Sequence, residues 1–264
     1  MIAITFDESK EILIKTLVSL DKHCRKNNIN YSLCWGTMIG AVRHHGFIPW
    51  DDDIDVMMPR DDYNRFVETY NDEDYNIYSL TVGSKWNMIH SRISNKKTAV
   101  FFRDYKRSPH GCWISIFPFD NVPDKNRGIW EKKRTIVLRL FQLKTARWAH
   151  NTTFVRNCLR LIGKQFLFFI STYQMGMKVN CLLSQFNHQK TKEICLWDNG
   201  YAFTKFFYFP AELFDEYEDI DFDGVKCRII KEYDNFLRLY YGDYMTPPPV
   251  EKQVPSHNYK AYWK

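Results

Sequence analysis

Four aspartates within five residues are the feature of this sequence that could most directly do chemistry. Asp51, Asp52, Asp53 and Asp55 follow an apolar Ile-Pro-Trp segment and lead into a Val-Met-Met run. On an extended chain, side chains two residues apart project from the same side, so Asp53 and Asp55 should face together. Carboxylates this close repel each other unless a cation lies between them, and Mg²⁺ or Mn²⁺ fits them best. Most acidic clusters are solvated loops, but the apolar flanks indicate a buried face, where an unpaired carboxylate is costly.

A second chemical feature precedes the aspartates. The apolar run 31–35 is typical of a strand, Gly36 and Thr37 interrupt it, and residues 38–42 fit one or two helical turns. Free backbone N–H groups at a helix start, reached through a glycine, form a cradle for phosphate. A Gly-Thr pair alone carries little information. Combined with metal-binding carboxylates, it predicts phosphoryl or nucleotidyl transfer.

Basic side chains near these features are candidates for holding a donor phosphate. Arg43 and His45, or its neighbour His44, lie between the cradle and the aspartates. An arginine matches phosphate geometry in a bidentate way, but Arg43 could equally neutralise a nearby aspartate, and both interpretations stay open. Arg60, beside the acidic strand, and Arg92, within a predicted strand, are further candidates.

Three motifs together resemble a known family. The segment GTMIGAVRHHGFIPWDDDIDVMMPRDDYNRF spans residues 36–66, GCWISIFPFD spans 111–120, and YYGDYMTPPP spans 240–249, followed by Ser256 and His257. They resemble the signature of the LicD family, the bacterial cholinephosphotransferases to which the fukutin-related proteins are distantly similar. Residues 125–200 supply no match.

The resemblance implies an α/β (α+β) protein with a nucleotidyltransferase-like mixed sheet flanked by helices. It implies transfer of phosphocholine from a CDP-linked donor such as CDP-choline to a hydroxyl of a cell-surface glycan precursor. Asp53 and Asp55 would hold the metal, and Gly36 and Thr37 the donor phosphate. His257 would return to the site, unless it is a surface histidine. Phosphocholine rests on the resemblance alone, since another phospho-group would leave the same signature.

One position departs from the family pattern Ile-Asp-Ile-Phe-Pro, whose aspartate supplies a third carboxylate. This sequence has Ser115 there. A third carboxylate typically bridges a second metal or takes the proton of the attacking hydroxyl, and serine does neither well. Asp120 could substitute only if the chain bends. Losing a general base costs about a hundred- to ten-thousandfold in rate, so an alternative is a nucleotide- or glycan-binding relative without turnover.

Composition indicates an ordered globular protein. The chain has 264 residues, of which 45% are hydrophobic and 17% aromatic. Its seven cysteines lack any Cys-x-x-Cys pair, which is typical of reduced thiols and not of a zinc site. The first residues contain no signal peptide, and the longest apolar stretch, 165–177, is too short to span a bilayer. We therefore expect a cytoplasmic protein, with possible peripheral contact at the inner face of a membrane.

A change in charge suggests the domain organisation. Residues 125–164 contain eleven Lys or Arg against one Glu, interleaved with apolar residues. We predict a core at 1–124, a basic helical insertion at 125–195 and a C-terminal part at 196–264 that completes the core. The insertion could be a solvated helical region or could contact an anionic membrane, which would allow a membrane-surface adaptor as a third function. No nucleic-acid motif accompanies it, so we expect no nucleic-acid partner.

Local patterns predict the remaining elements. Helices are expected at 7–27, capped by Asp7 or Ser9, at 159–183, and at 231–241 ending at Gly242. Strands are expected at 76–81, 88–93 and 112–119, the first two joined by a turn at Gly83-Ser84. Asp223-Gly224 predicts a hairpin within 219–230, and the prolines at 247–249 predict an extended tail. The aromatic residues of 197–209 are typical of a core, although one or two could stack on a base or surround a choline.

Overall fold

The structure is a computed structural model, and it describes residues 1–264 apart from 83–85, 87, 103–107, 109, 147–152, 197–206 and 258. The described residues form helices α1 (Phe6–Lys26), α2 (Trp35–His44), α3 (Arg60–Thr69), α4 (Arg127–Thr145), α5 (Phe154–Gln165), α6 (Thr172–Ser184) and α7 (Tyr233–Tyr241). Their strands are β1 (Ser32–Leu33), β2 (Asp55–Pro59), β3 (Tyr75–Tyr78), β4 (Ser91–Asn95), β5 (Thr98–Phe102), β6 (Trp113–Asn121), β7 (Glu193–Leu196), β8 (Tyr208–Pro210), β9 (Tyr217–Phe222), β10 (Val225–Ile230) and β11 (Tyr259–Trp263).

A mixed sheet of seven strands is organised around β6. β2 runs parallel to β6 on one side, and β1 pairs with the outer edge of β2. The other side of β6 pairs first with β4 and then with β7, both antiparallel, while β3 and β8 extend these two branches. The predicted mixed sheet flanked by helices is confirmed.

The two faces of this sheet are covered by different helices. α3 lies on one face, where the Tyr63 hydroxyl and the Ser91 hydroxyl of β4 are hydrogen-bonded. α2 lies on the other face, where Trp35 meets Phe117 of β6 in an edge-to-face contact with centroids 6.4 Å apart. α7 packs onto α2 through Phe236. Because strand side chains alternate, this assigns the odd-numbered residues of β6 to the α2 face.

α1 is amphipathic as the pattern predicts, and its buried stripe includes Leu13, Leu17 and Leu20. Its predicted cap is wrong. Thr5 accepts a hydrogen bond from the backbone N–H of Glu8, whose side chain accepts one from the backbone N–H of Thr5. This capping box satisfies two N–H groups at once, so the helix begins at Phe6.

Chain ends and turns account for the other differences from prediction. α2 begins at Trp35, before the Gly-Thr pair, because Trp35 takes a positive φ of 49° that turns the chain directly into the helix. The strands expected at 76–81 and 88–93 are β3 and β4, shifted by one to three residues. The helix expected at 159–183 is two helices, since capping by Ser171 starts α6 separately from α5. The Gly83-Ser84 turn and residues 197–206 of the aromatic segment lie outside the described residues.

The C-terminal region returns to the core. The hairpin at Asp223-Gly224 is confirmed between β9 and β10, with both turn residues at positive φ. α7 ends at Gly242, as predicted. The tail is not merely extended, because β11 pairs antiparallel with β5 along five residues.

The basic segment folds against both flanking parts of the chain. α4 and α6 enclose a core cluster that also contains Leu80 and Trp86, and the partly buried Tyr208 packs against it. The proposed division at 124 and 195 stays a prediction. Among the described residues, no helix combines the length and apolarity needed to cross a bilayer.

Candidate functional site

Adjacent strands align three of the predicted site residues. Asp55 of β2 is the register partner of Ser115 of β6, and Ser115 is also the register partner of Arg92 of β4. Partners across neighbouring strands share a face, so these three side chains lie in a row on the α2 side of the sheet. Ser115 is buried. Its register places it beside Asp55, at the position that the family pattern gives to a carboxylate.

The start of α2 is connected to the acidic segment by two contacts. The Thr37 hydroxyl accepts a hydrogen bond of 2.9 Å from the backbone N–H of Asp55. A Cβ added at Gly36 would lie 2.8 Å from Oδ2 of Asp51, so only glycine lets that carboxylate lie over the first turn. Gly36 and Thr37 are in this first turn, whose N–H groups have no partner within the helix. The helix start and the aspartates thus form one continuous site.

The carboxylates of the acidic segment lie close together in a buried environment. The pKa of Asp51 rises to about 8 because burial disfavours its charge and because Asp53 is nearby and hydrogen-bonded to it. Burial is also the main cause that raises the pKa of Asp53. Both carboxyl groups are therefore harder to ionise than a free aspartate in the absence of a cation. A divalent cation would relieve this repulsion directly.

The C-terminal segment completes this cluster with His257. The backbone N–H of His257 donates to Oδ2 of Asp52, and Nδ1 of His257 lies 3.1 Å from Oδ1 of the same carboxylate. Oδ2 of Asp53 lies 3.6 Å from the same nitrogen. The Tyr259 hydroxyl donates to the backbone carbonyl of Asp52. Of the two alternatives left open for His257, the structure therefore places it beside the aspartates and not apart from them, next to β11.

Residues Asp52, Asp53 and His257 fit a divalent cation. One ligand atom from each lies within 4.8 Å of the others, and the set combines carboxylate oxygens with an imidazole nitrogen. Burial raises the pKa of both Asp51 and Asp53, so a positive charge at this place would stabilise their ionised forms. Asp53 was predicted as a ligand, whereas Asp55, the other predicted ligand, lies two residues further at the start of β2. The structure thus supports a metal site at this cluster.

Arg92 contributes a buried positive charge to the same face. Its guanidinium lies 4.4 Å from the ring centre of Trp113 and 2.8 Å from Nε2 of His110. Burial lowers the pKa of Arg92 to about 10, while Asp55 and Asp53 oppose that shift, so the residue stays charged at neutral pH. Its Nε is buried without a hydrogen-bond partner within the described part of the chain. An anionic ligand on this face could supply one.

Two predicted site residues lie elsewhere and bind each other. Arg60 forms a bidentate ion pair with Asp120, with Nε–Oδ1 and Nη2–Oδ2 distances of 2.9 and 2.6 Å. Asn187 donates to the same carboxylate, and Asn180 accepts from Arg60. Asp120 is five residues beyond Ser115 on one strand, which places it on the opposite face and about 16 Å along. Neither side chain is brought together with Asp53.

Arg43 and His45 lie at the far end of α2. Nη1 of Arg43 donates to the backbone carbonyl of Tyr244, and its Nε donates to the His44 ring. His45 is the exposed C-cap residue, with a left-handed backbone. At 1.5 Å per residue, this end of the helix lies about 10 Å from Gly36. The structure therefore gives Arg43 an anchoring contact to the C-terminal region.

Sequence reasoning missed several residues of the site. Asp51 and Asp52 appeared only as flanking aspartates, and His110 and Trp113 received no role. The sequence did contain a signal for Trp113, since it lies two residues before Ser115 and so on the same face. Nothing local to Asp52 pointed to His257, which is 205 residues away.

The sequence is similar to one family model and to known proteins. Residues 28–141 match the family model described as LicD/FKTN/FKRP, nucleotidyltransferase domain. The chain is 32% identical over 272 residues to the lipopolysaccharide cholinephosphotransferase LicD of Haemophilus influenzae, with 98% of each chain covered. It is also 51% identical over 43 residues to an uncharacterized protein of Rickettsia typhi, covering 16% of this chain and 14% of the other. The matched region contains both α2 and the β2–β6 pair, and the chain belongs to the LicD family.

Proposed function

We propose that this protein is a metal-dependent phosphotransferase that moves phosphocholine, or a related phospho-group, from a CDP-linked donor to a hydroxyl of a lipopolysaccharide or similar glycan precursor. The observation that carries the proposal is the row of Asp55, Ser115 and Arg92 beside the buried or half-buried aspartates 51–53. The full-length similarity to a lipopolysaccharide cholinephosphotransferase supports the reaction class and the acceptor class. The CDP moiety, the metal requirement and a cytoplasmic location are part of the proposal.

The site residues have separate roles in this proposal. Asp53 with Asp55 would hold Mg²⁺ or Mn²⁺ through carboxylate oxygens, the ligands that these hard ions prefer, which leaves the neighbouring Asp52–His257 pair free to accept a proton. Such an ion, when bound, neutralises phosphate charge and stabilises the departing nucleotide. The N–H groups of Gly36 and Thr37 would orient the donor phosphate at the start of α2. Arg92 would balance the phosphate charge from within the sheet, in a buried setting where such a charge acts strongly.

The reaction exchanges the phosphoanhydride bond of the donor for a new phosphoester bond to the acceptor. The acceptor oxygen forms a bond to the phosphorus that carries choline, and the bond from that phosphorus to the CMP oxygen breaks. The hydroxyl proton must pass to a base. Asp120 is engaged by Arg60 and faces away, and Ser115 does not ionise at neutral pH, so the Asp52–His257 pair is the better positioned acceptor. The carboxylate would orient the imidazole as in other base–orienter pairs.

A second function from another class remains supported by Ser115. A relative that binds a nucleotide or glycan without turnover would keep the phosphate cradle and the carboxylates but lack the third acid. The buried serine beside Asp55 is the observation that favours it.

Release of CMP from CDP-choline tests the proposed reaction. With Mn²⁺ and lipopolysaccharide present, we expect wild-type protein to release CMP and Asp53→Asn to do so at least about a hundredfold more slowly, because charge stabilisation at the phosphate is lost. Asp221→Asn, an exposed aspartate of β9, is the matched control and should keep the wild-type rate. Equal rates in all three proteins would contradict the assignment of Asp53.

A further inference from the structure

Helix α5 has an inverted amphipathic arrangement. Its apolar residues recur at helical spacing, but they face solvent: Val155, Leu159 and Ile162 are 65%, 65% and 58% exposed. The opposite side of the helix faces the protein, where Asn157 is buried and Nζ of Lys164 donates to the backbone carbonyl of Ala146. A helix of a water-soluble domain normally buries its apolar stripe against the core. This stripe therefore needs a partner outside the described fold.

The apolar stripe continues past the end of α5. Phe166, Phe168 and Phe169 are 83%, 73% and 92% exposed, although phenylalanine is among the side chains most often buried. Isolated exposed apolar residues are ordinary, but contiguous ones mark an interaction surface. We call the surface formed by 154–169 on its exposed side the α5 face.

Positive charge accompanies this surface. Residues 125–192 contain fourteen Lys or Arg and a single acidic residue, Glu131, which is engaged by the Tyr208 hydroxyl. On α4, which contacts α5, exposed apolar and cationic residues share one face of the helix. These residues are Ile129, Lys132, Lys133, Ile136, Arg139 and Leu140. The partner is thus both apolar and negatively charged at its surface.

We propose that the α5 face docks into the surface of an anionic lipid bilayer, with the cations of α4 against the headgroups. Apolar side chains that enter the headgroup boundary next to exposed lysines are what such a surface binds. A nucleic acid fits less well, because its phosphates would leave the phenylalanines in water. The proposal does not depend on the transfer reaction, since none of its residues belongs to the site.

Sedimentation of the full-length protein with vesicles tests the proposal. We expect binding to equimolar phosphatidylglycerol–phosphatidylcholine vesicles and at least tenfold weaker binding to phosphatidylcholine alone. The double variant Leu159→Glu/Ile162→Glu should bind the anionic vesicles at least about thirtyfold more weakly, because two buried apolar side chains are lost. Lys132→Gln/Lys133→Gln should bind about twenty-five-fold more weakly, since each cation near the surface contributes about fivefold.

Matched controls separate docking from misfolding. Val250→Glu/Val254→Glu changes two exposed valines outside the α5 face and should bind like the wild type. Circular dichroism and melting temperature should be equal in all variants, since every altered side chain is exposed. Unchanged vesicle binding by the α5 variant would overturn the proposal. So would a wild-type dimer that ignores vesicles and becomes monomeric in that variant, because a second copy would then cover the face. Tight binding to an RNA or DNA duplex without vesicle binding would overturn it as well.

Discussion

Ser115 is the residue that discriminates between the two proposed functions, a transferase and a binding protein without turnover. Its register partner is Asp55, so an aspartate in its place would stand next to the proposed metal carboxylates. We expect Ser115→Asp to retain the fold, because the site is lined by polar groups and would gain a metal ligand. CMP release from CDP-choline with Mn²⁺ is the measurement.

The outcome of that substitution discriminates between the two functions. If wild type turns over and Ser115→Asp is not faster, the Asp52–His257 pair suffices as base and the serine is no defect. If CMP release appears only in the variant, the natural protein binds without turnover and the transferase proposal is wrong.

His110, again a single residue, provides a prediction about the pH dependence of folding stability. Burial and the neighbouring Arg92 lower the pKa of His110 to about 4 from 6.5. Above pH 6.5 the imidazole is neutral in both folded and unfolded chains. As the pH falls toward 4, the unfolded chain takes up the proton first, so stability is lost. From these pKa values the loss at pH 5 is about 2 kcal/mol.

His110→Gln keeps an acceptor for Arg92 but cannot be protonated. We expect the melting temperature of the wild type to fall roughly 4–8 °C more than that of the variant between pH 7.5 and pH 5. Differential scanning calorimetry at both pH values measures this difference. Parallel pH curves for the two proteins would show that His110 is protonated in the folded state.

At the scale of elements, the Arg60–Asp120 pair connects α3 to β6. Both side chains are almost completely buried, with 3% and 0% of their side-chain surface exposed. Removing one charge of a buried pair leaves the other uncompensated, which costs about 3–5 kcal/mol. We therefore expect Asp120→Asn to lower stability markedly while the folded fraction keeps its rate of CMP release.

Two control variants make this prediction specific. Glu216→Gln breaks an exposed pair with Lys231 and should leave the melting temperature almost unchanged. Arg60→Met/Asp120→Leu should recover most of the lost stability, because the paired charges are replaced by apolar side chains. A fully stable Asp120→Asn protein without turnover would instead assign Asp120 to catalysis.

Element-level prediction from the sequence worked where a signal was local. The Asp223-Gly224 turn, Gly242 at the end of α7 and the stripe of α1 each depend on residues close in the chain. β5 was missed because it pairs with β11, and the register of Thr98 with Trp263 leaves no local pattern. The break between α5 and α6 was missed because the apolar residues 166–169 continue the helical composition while facing solvent.

At the scale of the whole molecule, the fold brings the acidic segment 51–55 and the C-terminal segment with His257 together at the site. That Asp53 and Asp55 face the same side stays a prediction, because β2 begins only at Asp55 and the alternation of a strand does not extend back to Asp53. The contact of Asp52 with His257 was not predictable, because it spans 205 residues and depends on β11 pairing with β5. Asp120 illustrates a signal that was present, since an odd separation from Ser115 already places it on the other face.

The most direct test of the account is a metal-dependent thermal shift with CDP-choline, comparing wild type with Asp53→Asn. A ligand at a hundred times its Kd adds about 2.7 kcal/mol of stability, or roughly 5–10 °C for a chain of this size. We predict a shift of that order that requires Mn²⁺ or Mg²⁺, is absent in Asp53→Asn and persists in Asp221→Asn. A shift of equal size without metal, or in Asp53→Asn, would contradict the central claim that these carboxylates hold the ion that binds the donor.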